Sequence, residues 1–325
     1  MKPQSVIIAC PDGCVSGGPE LAHQLCHVLN NHHINSYIYY YLENGDYAES
    51  ETPAAYTHYN TKVFTHENTH LLTLKDTAFV APEVAVPLGV KFHTTCQVYY
   101  WWMSVDNYLD AAKKDHNSPD ILDCYQLRSD KNAIHMVQSA YAKHFLLQEM
   151  HIPQSQIVPL SDYINDAFFA IQIPDAFKQN FIAYNPAKGY QQLKPIIDKT
   201  PELHWFPIVK MTANDVANLL RLSKLYIDFG SHPGKDRIPR EAAVSGCCII
   251  TNRRGSADYY EDVPIPDSYK FADPLADVDG VIDLIYDILQ NYTSHSANFT
   301  SYRDRIKQEK SDFERDALAI FQADQ

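Results

Sequence analysis

The sequence predicts an α/β protein built of two doubly wound domains. Three observations predict it. Short apolar runs alternate with segments of helical periodicity along most of the chain, which places helices on both faces of parallel sheets. The alternation restarts near residue 180 after a polar interval. A length of 325 residues also exceeds the usual size of one domain. The expected division is 1–168 for the first domain, 169–300 for the second, and 301–325 for a terminal helix.

Each element follows from its local pattern. Residues 5–10 (SVIIAC) form a continuous apolar run, as a buried strand does. PDGCVSGG is a glycine-bearing loop. Residues 19–30 carry Leu21, Leu25, Val28 and Leu29 at helical spacing. Residues 35–42 are a second strand, and 44–62 are polar and read as loop. Residues 77–85 and 96–104 are strands separated by a short helix or turn. Residues 110–130 are polar and read as loop. Residues 133–139 are a strand, 141–150 a helix, and 157–165 a short strand and a loop. The second run has strands at 180–184, 203–209, 224–230 and 247–251. Its helices are 191–200, 213–223, 240–246 and 279–291. Residues 302–321 form a long, heavily charged helix. No fixed-period repeat and no low-complexity tract is present.

Composition narrows the function. The net charge is −13, with 27 Lys+Arg against 40 Asp+Glu. That disfavours a nucleic-acid-binding protein and a polybasic membrane anchor. No apolar run approaches the roughly 20 residues of a transmembrane helix. Mixed charge on the terminal helix leaves only peripheral membrane contact open. Seven cysteines show no CxxC pair, which suits reduced thiols in the cytoplasm.

The segment IDFGSHPGKDRIPREAAVSGCCIIT carries the most chemistry. It reads as strand, cationic loop, helix and strand. Lys235, Arg237, Arg240, Arg253 and Arg254 make five basic residues in twenty. Lys235 and Arg237 precede a helix start near Pro239, with Glu241 in the first turn. A cationic loop at a helix N-terminus suits an anion such as phosphate. Arg237 offers a planar fork of donors, or else forms a surface salt bridge around Asp236. Glycine pairs Gly17–Gly18 before a helix, but the full dinucleotide fingerprint is absent. Asp106, after a strand, is a candidate general base or a helix cap. Trp101 and Trp102 are candidates for stacking on a sugar, one of them a core residue. His23/His27 and His66/His70 have i, i+4 spacing without a third ligand, and no HExxH occurs. Asp277-Val278-Asp279 lies far from the nucleotide strands and reads as a helix start. No metal and no cofactor is expected.

With these residues quoted, the chain resembles a GT-B glycosyltransferase. NPAKG (residues 185–189) is similar to that family's lysine-glycine loop. PREAAVSGCCIIT is similar to its glutamate-led helix and following strand. RRGSADYYED is similar to its glycine loop, and SGGPE (residues 16–20) to its acceptor-domain glycine loop. The resemblance implies two Rossmann-like domains facing each other across a cleft, with the terminal helix crossing back to the first. It implies a nucleoside-diphosphate sugar donor held by Lys188, Lys235, Arg237, Glu241, Gly255 and Ser256. Glu241 would take the ribose hydroxyls, or would favour a helix dipole. Gly17, Gly18 and Glu20 would contact donor or acceptor, and Arg237 and Asp106 would carry catalysis. The acceptor would be a saccharide or lipid-linked sugar of cell-surface polysaccharide assembly, with retention favoured over inversion. The family's retaining members carry two glutamates with seven residues between, and Pro233 stands where the first would fall. A sugar-nucleotide epimerase and a non-catalytic binding protein of the same fold therefore stay open. An NAD-dependent oxidoreductase fits the incomplete glycine fingerprint less well.

Overall fold

The computed structural model describes residues 2–115, 120–171 and 173–322. The chain divides into two compact units. One comprises residues 1–162 with 311–325, and the other residues 163–310.

The first unit holds a six-stranded parallel sheet in the order β2-β1-β3-β4-β5-β6. Its strands are β1 (Ser5–Pro11), β2 (Asn35–Tyr41), β3 (Thr77–Pro82), β4 (Gln97–Trp102), β5 (Ile134–Val137) and β6 (Ile157–Pro159). Between them run α1 (Gly17–Asn31), α2 (Val86–Phe92), α3 (Val105–Asp115) and α4 (Ala140–His144), which continues as a π-turn over Phe145–Glu149. Every residue of β3 is buried, as a strand covered on both faces requires. The core gathers Ile7, Phe79, Tyr100, Trp102 and Tyr108.

The second unit holds a five-stranded parallel sheet in the order β11-β10-β9-β7-β8. Its strands are β7 (Gln179–Tyr184), β8 (His204–Pro207), β9 (Ser223–Asp228), β10 (Cys248–Asn252) and β11 (Lys270–Phe271). Its helices are α5 (Tyr190–Lys199), α6 (Ala213–Leu222), α7 (Arg237–Val244), α8 (Val278–Gln290), α9 (Tyr292–Ala297) and α10 (Thr300–Phe321). The last helix enters the first unit at Ser311. There Phe313 stacks on Trp101 and Phe321 packs on Tyr99.

Several expectations are corrected. Part of the polar 110–130 interval lies in helix α3, because Val105, Tyr108 and Ala112 recur on one buried face. Residues 116–119 of that interval lie outside the described residues. Helix α7 starts at Arg237, so Arg237 is helical and Pro239 is its third residue. Glu241 therefore sits beyond the first turn, where a helix dipole contributes little. Trp101 and Trp102 are both fully buried, so neither offers a face to a sugar. His23 is buried between the Pro19 carbonyl and the Tyr40 hydroxyl. As expected of a helix start, Asp277 caps α8 by accepting the Gly280 N–H. As expected, no cysteine forms a disulfide among the described residues, and five of the seven are buried.

Candidate functional site

In each sheet the strand order reverses at one point, and ligands of doubly wound folds bind outside the carboxyl ends of strands there. In the second unit β7 lies between β8 and β9, so the reversal brings together the β7–α5 loop and the β9–α7 loop. Those two loops touch. A Cβ on Gly189 would fall 2.3 Å from the Phe229 carbonyl carbon, and Gly189 has φ +66°. Only glycine meets both conditions without strain.

The β9–α7 loop is built from its strand outward. Asp228 ends β9 with its carboxylate buried, accepting the Tyr226 hydroxyl at 2.9 Å and the Gly230 N–H at 2.9 Å. His232 follows four residues later, also buried, with φ +48°. Its Nε2 is 3.3 Å from the Asp228 carbonyl oxygen, and its Nδ1 is 3.0 Å from Asp236 Oδ2. The other oxygen of Asp236 takes the Lys188 ammonium at 2.6 Å. Burial opposes charge at His232, but Asp236 and Asp228 outweigh it and raise the imidazole above its ordinary pKa. Burial likewise pushes the Asp236 carboxyl up, and His232 and Lys188 outweigh it and bring it below the usual carboxylate range. Asp228 stays raised, because its burial outweighs the attraction of His232.

The loop is clamped from two further sides. Ser256 donates its N–H to the His232 carbonyl at 2.9 Å and its hydroxyl to the Gly234 carbonyl at 2.6 Å. Gly255 lets this happen, since a Cβ there would fall 2.0 Å from the His232 oxygen. On the other side Arg240, fully buried on α7, donates to the carbonyls of Asp236 and Lys235. Its guanidinium also pairs with Glu309 of α10 at 2.8 Å, and Lys235 pairs with the same carboxylate at 2.9 Å. Lys235 and Arg237 thus lie at the N-terminus of α7, and Lys188 reaches it through Asp236, with Arg237 and Glu241 half-buried on that helix. Gly255 and Ser256 support the loop, and the Ser256 groups named here are engaged by its carbonyls.

Sequence reasoning missed Asp228, His232 and Asp236 as a linked set, and also Arg240 and Glu309. The charges of Asp236 and Arg240 were visible. Their partners were not, because Glu309 lies 69 residues beyond Arg240.

In the first unit the order reverses between β1 and β3. Gly17 and Gly18 open α1, and a Cβ on Gly18 would sit 3.8 Å from Met103 Cε. Glu20 accepts the Tyr59 hydroxyl at 3.0 Å. Asp106 lies in the first turn of α3 and accepts the Tyr141 hydroxyl at 3.2 Å. A carboxyl that sequence reasoning missed is Glu83, just past β3. It is buried and accepts the Met103 N–H at 3.1 Å. Burial pushes it up to about 7 against the pull of backbone N–H groups from Met103, Glu83 and Ser104.

No family model and no curated protein matches the chain. Solved structures do. Anabaena HepE in complex with UDP-glucose is 10% identical, covers 97% of this chain and 98% of its own, and has a TM-score of 0.63. Sucrose-phosphate synthase from Thermosynechococcus elongatus is 12% identical over 97% of both chains, with a TM-score of 0.65. WaaG, a glycosyltransferase involved in lipopolysaccharide biosynthesis, is 12% identical over 98% of this chain and 100% of its own, with a TM-score of 0.58. At this identity the likeness is one of fold, and the chain is similar in fold to the GT-B glycosyltransferases. Among the described residues no helix is long and apolar enough to cross a membrane.

Proposed function

We propose that this protein transfers a glycosyl group from a nucleoside-diphosphate sugar to a saccharide or lipid-linked acceptor. The observation that carries the proposal is the placement of Lys235 and Arg237 at a helix N-terminus whose Asp236 takes Lys188, on the loops of a strand-order reversal. Negative charge grows on the diphosphate as the glycosyl bond breaks. Fixed cations there stabilise the transition state more than the bound donor, which lowers the barrier. Arg237 matches two phosphate oxygens with its planar fork. Glu241, on the same helix, accepts hydrogen bonds from the ribose hydroxyls. On the first unit, Gly17 and Gly18 admit close backbone approach, and Asp106 deprotonates or orients the acceptor hydroxyl.

Retention is drawn from the Glu241 helix, and independence from metal from a cationic set that does an ion's work. Cell-surface polysaccharide assembly follows by analogy with WaaG. Seven cysteines outside any disulfide suit work in the cytoplasm.

A thermal-shift screen against UDP, GDP, dTDP, ADP and CDP, with and without EDTA, tests the donor site. A ligand that binds only the native state raises the melting temperature by mass action. A shift with one diphosphate, unchanged by EDTA, is expected. One observation favours a second possibility, a non-catalytic binding protein. Lys188 and Lys235 each already face an internal carboxylate. That possibility gains if a diphosphate binds but no donor sugar turns over in the presence of acceptors.

A further inference from the structure

Both ring nitrogens of His232 face oxygen acceptors. Nε2 points to the Asp228 carbonyl at 3.3 Å, with Asp228 Oδ1 at 3.7 Å. Nδ1 is 3.0 Å from Asp236 Oδ2. A carbonyl and an ionised carboxylate can only accept. A neutral imidazole has one N–H, so one nitrogen would turn its lone pair on an oxygen at contact distance. Either a second proton or a metal ion removes that conflict. Nδ1 and Oδ2 are buried, and their line departs from hydrogen-bond geometry, so neither has a hydrogen-bond partner. With the ring protonated, the contact is an ion pair.

Asp228, His232 and Asp236 do offer three ligand atoms within 4.8 Å of one another. The surroundings favour the proton over a metal. Asp236 already holds an ammonium at 2.6 Å on its other oxygen, and both Asp228 oxygens accept hydrogen bonds. One imidazolium and one ammonium balance two carboxylates. A divalent ion would add charge beside the ammonium that already neutralises Asp236.

We propose that His232 is a positioning residue for the donor diphosphate: its imidazolium holds Asp236, and so governs whether Lys188 can leave Asp236 for a phosphate oxygen. This rests on the donor-site proposal above. With His232 charged, Lys188 can move to the ligand and Asp236 keeps a cationic partner. With His232 neutral, the same move strands a buried carboxylate without one, which is costly. Lys188 then stays, and the diphosphate binds less tightly. The charged groups that the ring faces among the described residues are Asp228 from β9, Asp236 at the start of α7, Lys188 from the β7–α5 loop, and Arg240 through the Asp236 carbonyl. The 255–256 loop contributes the backbone N–H and hydroxyl of Ser256 and no charge.

The experiment is calorimetric titration of the full chain with UDP, GDP, dTDP, ADP and CDP from about pH 6 to about pH 8.5, which brackets the imidazole range. Wild type is compared with His232→Gln and Lys188→Ala, so that the ligand's own titration cancels. For the diphosphate that binds, wild-type affinity should fall with pH by about tenfold more than in His232→Gln, the scale of one pKa unit. Lys188→Ala should lose the same excess dependence. Equal pH dependence in wild type and His232→Gln overturns the proposal. Failure of every diphosphate to bind wild type at any pH would instead overturn the donor site itself. A second measurement, free of the variant's folding, is the ¹⁵N NMR signal of His232 in wild type at pH 6. Two protonated ring nitrogens are expected. A single neutral tautomer, or a Zn²⁺ or Mn²⁺ ion replacing the Nδ1 proton, overturns the proposal.

Discussion

At the scale of single residues, the protein places charge where burial makes it matter. Arg237 opens α7 beside Asp236 and is half-buried. Its replacement by alanine removes the fork of donors proposed for the leaving diphosphate. Turnover of Arg237→Ala should fall by about a hundredfold or more, the scale of one fixed transition-state donor, while its melting temperature stays near wild type. Wild-type turnover in that variant would remove Arg237 from the chemistry. Glu83 makes a different prediction. Its folded pKa of about 7 lies above its unfolded value of 4.5. Between those values the native state holds the extra proton, so the stability from its neutral form is full below about 4.5 and is lost as pH rises through about 7. The loss is about 3 kcal/mol at most. Glu83→Gln keeps an acceptor for the Met103 N–H and has nothing to ionise. Its urea midpoint relative to wild type should therefore be higher at pH 8 than at pH 5. An unchanged difference between the two pH values would show that Glu83 does not titrate in that range.

At the scale of elements, α7 is fixed at both ends by buried charged groups of its unit. Arg240 and Glu309 hold its start. Near its far end, Lys178 is buried and donates to the carbonyls of Leu220, Ser223 and Ser245 at 3.1, 2.9 and 2.7 Å. Those carbonyls lie at or beside the C-termini of α6 and α7, where a cation is favoured. Burial lowers the Lys178 pKa. Lys178→Met should cost about 3 kcal/mol, since it leaves buried carbonyls without a donor. Denaturant unfolding would register this, and a loss under about 0.5 kcal/mol would mean that water replaces the ammonium. This anchor was not legible in the sequence, because its partners are backbone atoms brought in by the fold. The strands were legible. Continuous apolar runs such as TAFVAP are buried on both faces and have few other uses. Helix α3 was not, since VDNYLDAAKKD is mostly polar and, among its described side chains, only Val105, Tyr108 and Ala112 are fully buried. In the candidate site the cations could be read directly. The carboxylates that hold them, Asp236 by geometry and Glu309 by distance along the chain, could not.

At the scale of the whole molecule, the first unit takes its last pieces from the far end of the chain. Phe313 and Phe321 are buried against Trp101 and Tyr99, His32 pairs with Glu314, and Lys2 binds the carbonyls of Ala319 and Ile320. Removing residues 311–325 uncovers two aromatic contacts, each side chain worth about 2 kcal/mol of burial. The truncated chain should lose about 4 kcal/mol from the first unit. Proteolysis there should become faster, while the second unit, residues 163–310, resists as before. Equal protease resistance of the first unit with and without the segment would show that this end of α10 does not stabilise it.

The unit that starts first on the ribosome is therefore the one completed last. Its rings at Tyr99 and Trp101 emerge early, and the phenylalanines that cover them follow only after the entire second unit has been made. At usual rates of synthesis that wait is on the order of ten seconds. Throughout it the nascent chain carries an open aromatic face, so the yield of folded protein depends on what shields that face while translation runs on.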